Sequence, residues 1–111
     1  MISAMNTPLH QILLELHEGL ERLYGGRLQE LHLFGSHARK EAVEGSDIDV
    51  ALILDDFASA AEEISLFSPF IATLCLKHCC VISLIPIRER DWRSRQTPLL
   101  MNIRREGIPV A

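Results

Sequence analysis

A chain of 111 residues, 48% hydrophobic and 23% charged, has the composition of a single compact globular domain, with neither a disordered nor a collagen-like bias. Its start, MISAMNTPLHQ, lacks a charged lead into an apolar segment, and the longest nearly apolar run, Cys79 to Ile87, is far too short to span a bilayer, so a cytoplasmic protein is expected. The net charge of -4 is uneven: residues 1 to 87 carry a balance of -7 and residues 88 to 111 one of +3. The acidic body argues against a broad nucleic-acid surface, because duplex binding needs a basic face that neutralises phosphate. The arginine-rich tail reads as a solvated face or as a meeting place for an acidic partner.

Thr7-Pro8 is a helix start, a capping residue before a proline at the first helical position. Leu9, Ile12, Leu13, Leu16, Leu20 and Leu23 follow at the spacing of one helix face, and Gly25-Gly26 ends it. Leu28 to Phe34 is a first strand, interrupted by Gly35-Ser36, and a short helical turn is expected over residues 37 to 43. Ile48 to Leu54, IDVALIL, is β-branched and apolar enough for a second, largely buried strand. Residues 59 to 78 form a helix that opens on Ser59 with Glu62 and Glu63 in its early turns, and Pro69 should kink or split it. Val81 to Ile85 is a third strand with Pro86 at its edge. After an arginine-rich connection, Thr97-Pro98 starts a last helix that runs to about Glu106 and stops at Gly107. Cys75, Cys79 and Cys80 with His78 invite a zinc reading, but four-ligand sites usually come as two separated pairs, and packing at a helix-to-strand junction is the better account. The result is an α/β (α+β) domain over residues 1–111, with a small mixed sheet of three strands, or four, covered by helices.

Side chains alternate across a strand, so Asp47 and Asp49 project to one side while Ile48 enters the core. Two carboxylates so placed repel unless they share a cation, and hard divalent ions such as magnesium bring phosphate oxygens with them. Gly35-Ser36 supplies the complement, a close backbone approach and a hydroxyl suited to an anion. Strand one then ends in a phosphate cradle and strand two begins with metal ligands, which makes a magnesium-nucleotide site the natural use of the pair.

Gly35-Ser36, ten residues, then Asp47-Ile48-Asp49 resembles the signature of the DNA polymerase beta-like nucleotidyltransferase superfamily. The fuller run FGSHARKEAVEGSDIDVAL and the closing NIRREGIPV are similar to its small branch, the minimal nucleotidyltransferases (MNT). The resemblance implies a nucleotidyltransferase fold in which Gly35 and Ser36 hold the β- and γ-phosphates of ATP. It also implies that Asp47 and Asp49 bind Mg2+ as the catalytic pair and that Arg39 steadies the loop or the triphosphate. The implied partner is a helical HEPN protein in a toxin-antitoxin pair, with AMP transferred to it. A homo-oligomer is left open.

Active members of that family carry a third carboxylate on a following strand, and here Ser83 stands where the acid is expected. Asp55 shares the parity of Asp49 but lies roughly 20 Å further along the strand. Asp91 requires a fold-back, and Glu41 shares the turn of the cradle. A nucleotide-binding subunit that neutralises its partner by contact is therefore the alternative to an active transferase. His37 could touch phosphate or simply face solvent. Phe57, Phe67 and Phe70 belong to the core or to a docking face, and Trp92 anchors the tail on the sheet.

Overall fold

The computed structural model describes residues 7–110, with the side chain of Thr7 left aside, so the capping role expected of Thr7 lies outside the described residues. Helix α1, Thr7–Tyr24, buries the predicted stripe of Leu9, Ile12, Leu13, Leu16 and Leu20. Leu23 was expected to complete that stripe but is 38% exposed, and Tyr24 takes the inward place, as the fourfold step from Leu20 dictates.

After a 3-10 turn at Gly25–Arg27 come β1, Leu28–Phe34, the four-residue helix α2, Gly35–Ala38, and β2, Ile48–Leu54. Helix α3 spans Ala60–His78 and is followed by β3, Ile82–Arg88. The chain closes with α4, Glu89–Ser94, α5, Pro98–Glu106, and β4, Ile108–Pro109. The strands form one four-stranded sheet in the order β3-β2-β1-β4. β1 runs antiparallel to β2 and to β4, and β2 parallel to β3.

Each face of the sheet is covered. On one side Val50, Leu52 and Leu54 pack with Leu31, Leu33 and the apolar stripes of α1 and α3; on the other, Ala51 and Ile53 meet Phe34, Ile87, Leu100 and Ile103. Near-continuous burial along β2 follows from this double cover. Phe67 is buried and Phe57 and Phe70 pack against the first cluster, so the phenylalanines are core. Trp92 packs on the second cluster with its ring centroid 4.9 Å from that of His32, which fulfils the anchoring role expected of it.

Four expectations are corrected. The helical turn expected over residues 37 to 43 lies earlier, at Gly35–Ala38, with Lys40 in the left-handed region (φ 61°) just beyond its end. Pro69 neither splits α3 nor ends it, because Ser65, whose carbonyl loses its helical partner, lies on the exposed side where water is available. β3 runs through Pro86 to Arg88 instead of stopping at Ile85. The amide of Ile48 donates to the carbonyl of Val81 (2.9 Å), so residues 81, 83, 85 and 87 face β2 with their backbone groups, and the nitrogen of Pro86 points away from it. The arginine-rich connection contains α4, held by Arg104, whose Nε donates to the Trp92 carbonyl at 2.8 Å. Cys75 and Cys80 pack at the α3-to-β3 junction, and Cys79 takes the left-handed position (φ 51°) that ends α3.

Candidate functional site

The site lies at the end of the sheet where β1 stops and β2 begins. Phe34, in extended conformation, leads into Gly35, whose φ of +75° belongs to the left-handed region. A Cβ there would also overlap the Oδ2 of Asp49, so the position admits glycine on two grounds. The turn is closed by backbone bonds from Arg39 N–H to Gly35 O (3.1 Å) and from Glu41 N–H to Ser36 O (2.9 Å). Further along, the Val43 amide donates to Ser46 Oγ (2.9 Å) and the Ser46 amide to the Val43 carbonyl (3.0 Å), which fixes the chain just before Asp47.

All five residues proposed from the sequence, Gly35, Ser36, Arg39, Asp47 and Asp49, open onto one cleft of about 500 Å³. Its opposite wall is made by Leu99, Asn102 and Glu106 of α5. Asp47 is exposed just ahead of β2, while Asp49 is half-buried. Burial, and then the charge of Asp47, push the Asp49 carboxyl above the ordinary range; His37 and Arg39 pull the other way. Such a pair gains from a shared cation. Two carboxylates beside an anion-compatible turn fit one hard divalent ion whose remaining positions are filled by phosphate oxygens or water.

Arg39 is held at both ends of its guanidinium. Its Nε donates to Glu41 Oε1 at 2.8 Å and its Nη1 to Glu106 Oε1 at 3.0 Å, and these partners, Glu41 first, raise its pKa. His37 turns aside: its Nε2 donates to the Ser46 carbonyl at 3.2 Å.

Ser83 is the register partner of Asp49 on β3, on the same face of the sheet, and it is exposed. No cluster of three or more acids, histidines or cysteines suited to a metal occurs among the described residues. Glu41 faces Arg39, Asp91 lies 3.5 Å from Arg88 on α4, and Asp55 pairs with Arg27 at the far end of β2, so none of these acids stands in for the expected carboxylate. The sequence reading missed Phe34, Ser46, Leu99, Asn102 and Glu106 as cleft residues. The closing NIRREG run held the signal for Asn102 and Glu106, but their approach to β2 depends on how α5 folds back.

Beside the cleft, an apolar groove of about 570 Å³ runs between the start of α1 and the end of α3, with exposed Val43, Leu76 and Val81 on its walls. No helix of the described chain is long and apolar enough to cross a membrane.

No curated protein matches the sequence. Among solved structures the fold is similar to that in the crystal structure of a toxin-antitoxin with AMP-PNP, with TM-score 0.65 and 22% identity over 89% of this chain and 72% of that one. It is similar to the structure of a tri-AMPylated Shewanella oneidensis HEPN toxin in complex with MNT antitoxin, with TM-score 0.58 and 22% identity over 92% and 71%. A toxin-antitoxin MntA-HpeT mutant, in which two aspartates separated by one residue are changed to glutamate, matches with TM-score 0.59 and 21% identity over 86% and 70%. At these identities the likeness is one of fold. The model of the nucleotidyltransferase domain matches residues 13–102, a span that holds the glycine turn, both aspartates and the first three strands, and the chain belongs to that family.

Proposed function

We propose that the chain binds magnesium-ATP and transfers AMP to a HEPN-type helical partner in the cytoplasm, acting as the antitoxin of the pair. The observation that supports this reading most is the meeting of the Gly35-Ser36 turn with Asp47 and Asp49 in one cleft. The absent Cβ of Gly35 lets the Asp49 carboxylate lie against the turn, and Ser36 offers its hydroxyl. A guanidinium has five N–H donors, of which Arg39 commits two to Glu41 and Glu106, so three remain for the triphosphate. Asp47 and Asp49 hold Mg2+, which supplies charge neutralisation at the phosphates. In the transfer, an acceptor hydroxyl oxygen bonds to the α-phosphorus as the bond to the departing pyrophosphate oxygen breaks, and the hydroxyl proton passes to solvent water.

Ser83 favours a second reading, a subunit that keeps the nucleotide site but neutralises its partner by contact. A hydroxyl beside Asp49 is a weak magnesium ligand and no base at neutral pH. Incubating the protein, purified with its captured partner, with magnesium and α-labelled ATP separates the two. Label on the partner, lost in Asp47→Asn, supports the transferase. Saturable ATP binding with a stable complex and no label supports the contact antitoxin, and a gain of labelling in Ser83→Asp would show that the missing carboxylate limits turnover.

A further inference from the structure

The wall of the cleft opposite the aspartates carries its own acid, Glu106, at the last position of α5. Its backbone is fixed on both sides. Three residues before it, Ile103 is fully buried, and the Gly107 amide donates to the Ile103 carbonyl at 2.7 Å. A side chain at Gly107 would overlap that carbonyl oxygen. Just after it, Ile108 pairs with Leu33 of β1, and the Val110 amide donates to the Leu31 carbonyl at 2.8 Å.

Arg39 is rooted less deeply, with its amide bonded only within the turn, to the Gly35 carbonyl. It follows a four-residue helix, precedes Lys40 in the left-handed region (φ 61°), and its side chain is exposed. Its two acidic partners differ: the side chain of Glu41 is 59% exposed on the same turn, whereas that of Glu106 is 20% exposed on a helix end fixed by buried Ile103. An ion pair to the more buried acid is less screened and more persistent.

We propose that Glu106 is a positioning residue for nucleotide binding: it holds the Arg39 guanidinium over the cleft so that its uncommitted N–H donors meet the triphosphate already oriented. A long side chain that clamps phosphate loses rotamer freedom, and a fixed acid behind it removes most of that loss before the nucleotide arrives. Through this pair the C-terminal helix becomes part of the phosphate site, 67 residues from the arginine it steers. The inference rests on the nucleotide-binding reading given above.

Magnesium-ATP titrated calorimetrically into wild type, Glu106→Gln, Glu106→Asp, Arg39→Gln and the Glu106→Gln, Arg39→Gln double variant tests it, with melting curves recorded for each. Glu106→Gln is expected to weaken ATP binding about tenfold, the scale for losing a residue that supports a direct ligand. Glu106→Asp recovers part of the loss, and Glu106→Gln adds nothing in the Arg39→Gln background, because the two act as one unit. A merely structural role would instead lower the melting temperature and add to the Arg39→Gln effect, and that additivity overturns the proposal. Unchanged or tighter ATP binding in Glu106→Gln overturns it too. A wild-type chain that binds no ATP would bring down the nucleotide-binding reading itself, and the positioning role with it.

Discussion

Gly35 meets two constraints that a substitution would violate together, a left-handed backbone and the carboxylate of Asp49 in the space of its missing side chain. Gly35→Ala is expected to cost about 1–3 kcal/mol of stability in denaturant titration and to weaken ATP binding by at least about tenfold, since relief of the overlap must move Asp49. Asp49 itself titrates above the ordinary carboxylate range. Between the unfolded value and that raised value the native chain binds more protons than the unfolded one, so stability falls as pH rises through the interval. At neutral pH the ionised carboxylate is therefore a burden on the metal-free fold. Asp49→Asn should raise the melting temperature slightly without metal while reducing AMP transfer by more than about a hundredfold, and magnesium with ATP should narrow the gap by stabilising wild type alone. A lower melting temperature for Asp49→Asn would contradict this account. The gathering of Gly35, Ser36, Arg39, Asp47 and Asp49 at one cleft was legible in the sequence because they lie within fifteen residues. Glu106 was not, because its partner is distant in the chain and nothing local marks the contact.

The starts of α3 and α5, which carry their own signals, were read correctly. Ser59 accepts from the Glu62 amide and Thr97 from the Leu100 amide, as the capping patterns of α3 and α5 required. Helix α4 was missed because it is six residues long and is held by tertiary contacts, with Arg104 stacked 5.4 Å from the Trp92 ring and bonded to the carbonyls around it. Of the two effects expected of Pro69, the split does not occur, since the packing of Phe67 and Leu74 carries α3 across the missing hydrogen bond. Pro69→Ala should accordingly stabilise the protein by about 1–3 kcal/mol in chemical denaturation, as the interior penalty of proline is removed. The same helix is tied to α1 by Glu15, which accepts from Lys77 at 2.6 Å, from Gln11 at 2.8 Å and from His78 at 3.1 Å. Lys77 first, then Gln11, pull the Glu15 carboxyl down to about 2. Its contribution is complete above the unfolded value of 4.5 and is lost as pH falls toward 2. Unfolding followed against pH should show Glu15→Gln with a shallower acid loss than wild type over that window.

Across the whole molecule, the charge asymmetry seen in the composition becomes partly internal. Arg88 donates to the Phe57 carbonyl at 2.9 Å and fastens the end of β3 to the loop before α3, while Arg104 donates to those of Trp92 and Arg95 and fastens α5 to α4. Composition alone could not separate them from Arg90 and Arg95, which are exposed and available to an acidic partner. The sheet order was likewise beyond the sequence, because the fourth strand is two residues long and exists through its pairing with His32 and Leu33.

The outward nitrogen of Pro86 bears on colloidal behaviour. β3 is an open border of the sheet, and a row of vacant amides there would be a template on which a second molecule could extend the ladder. Proline withholds one donor in the middle of that row and loses nothing toward β2, so it guards against edge-to-edge pairing at no cost to the fold. Pro86→Val should leave the unfolding free energy within about 1 kcal/mol of wild type while increasing concentration-dependent association in light scattering. The residue that looked like the end of a strand would then prove to be the reason the sheet ends with this chain.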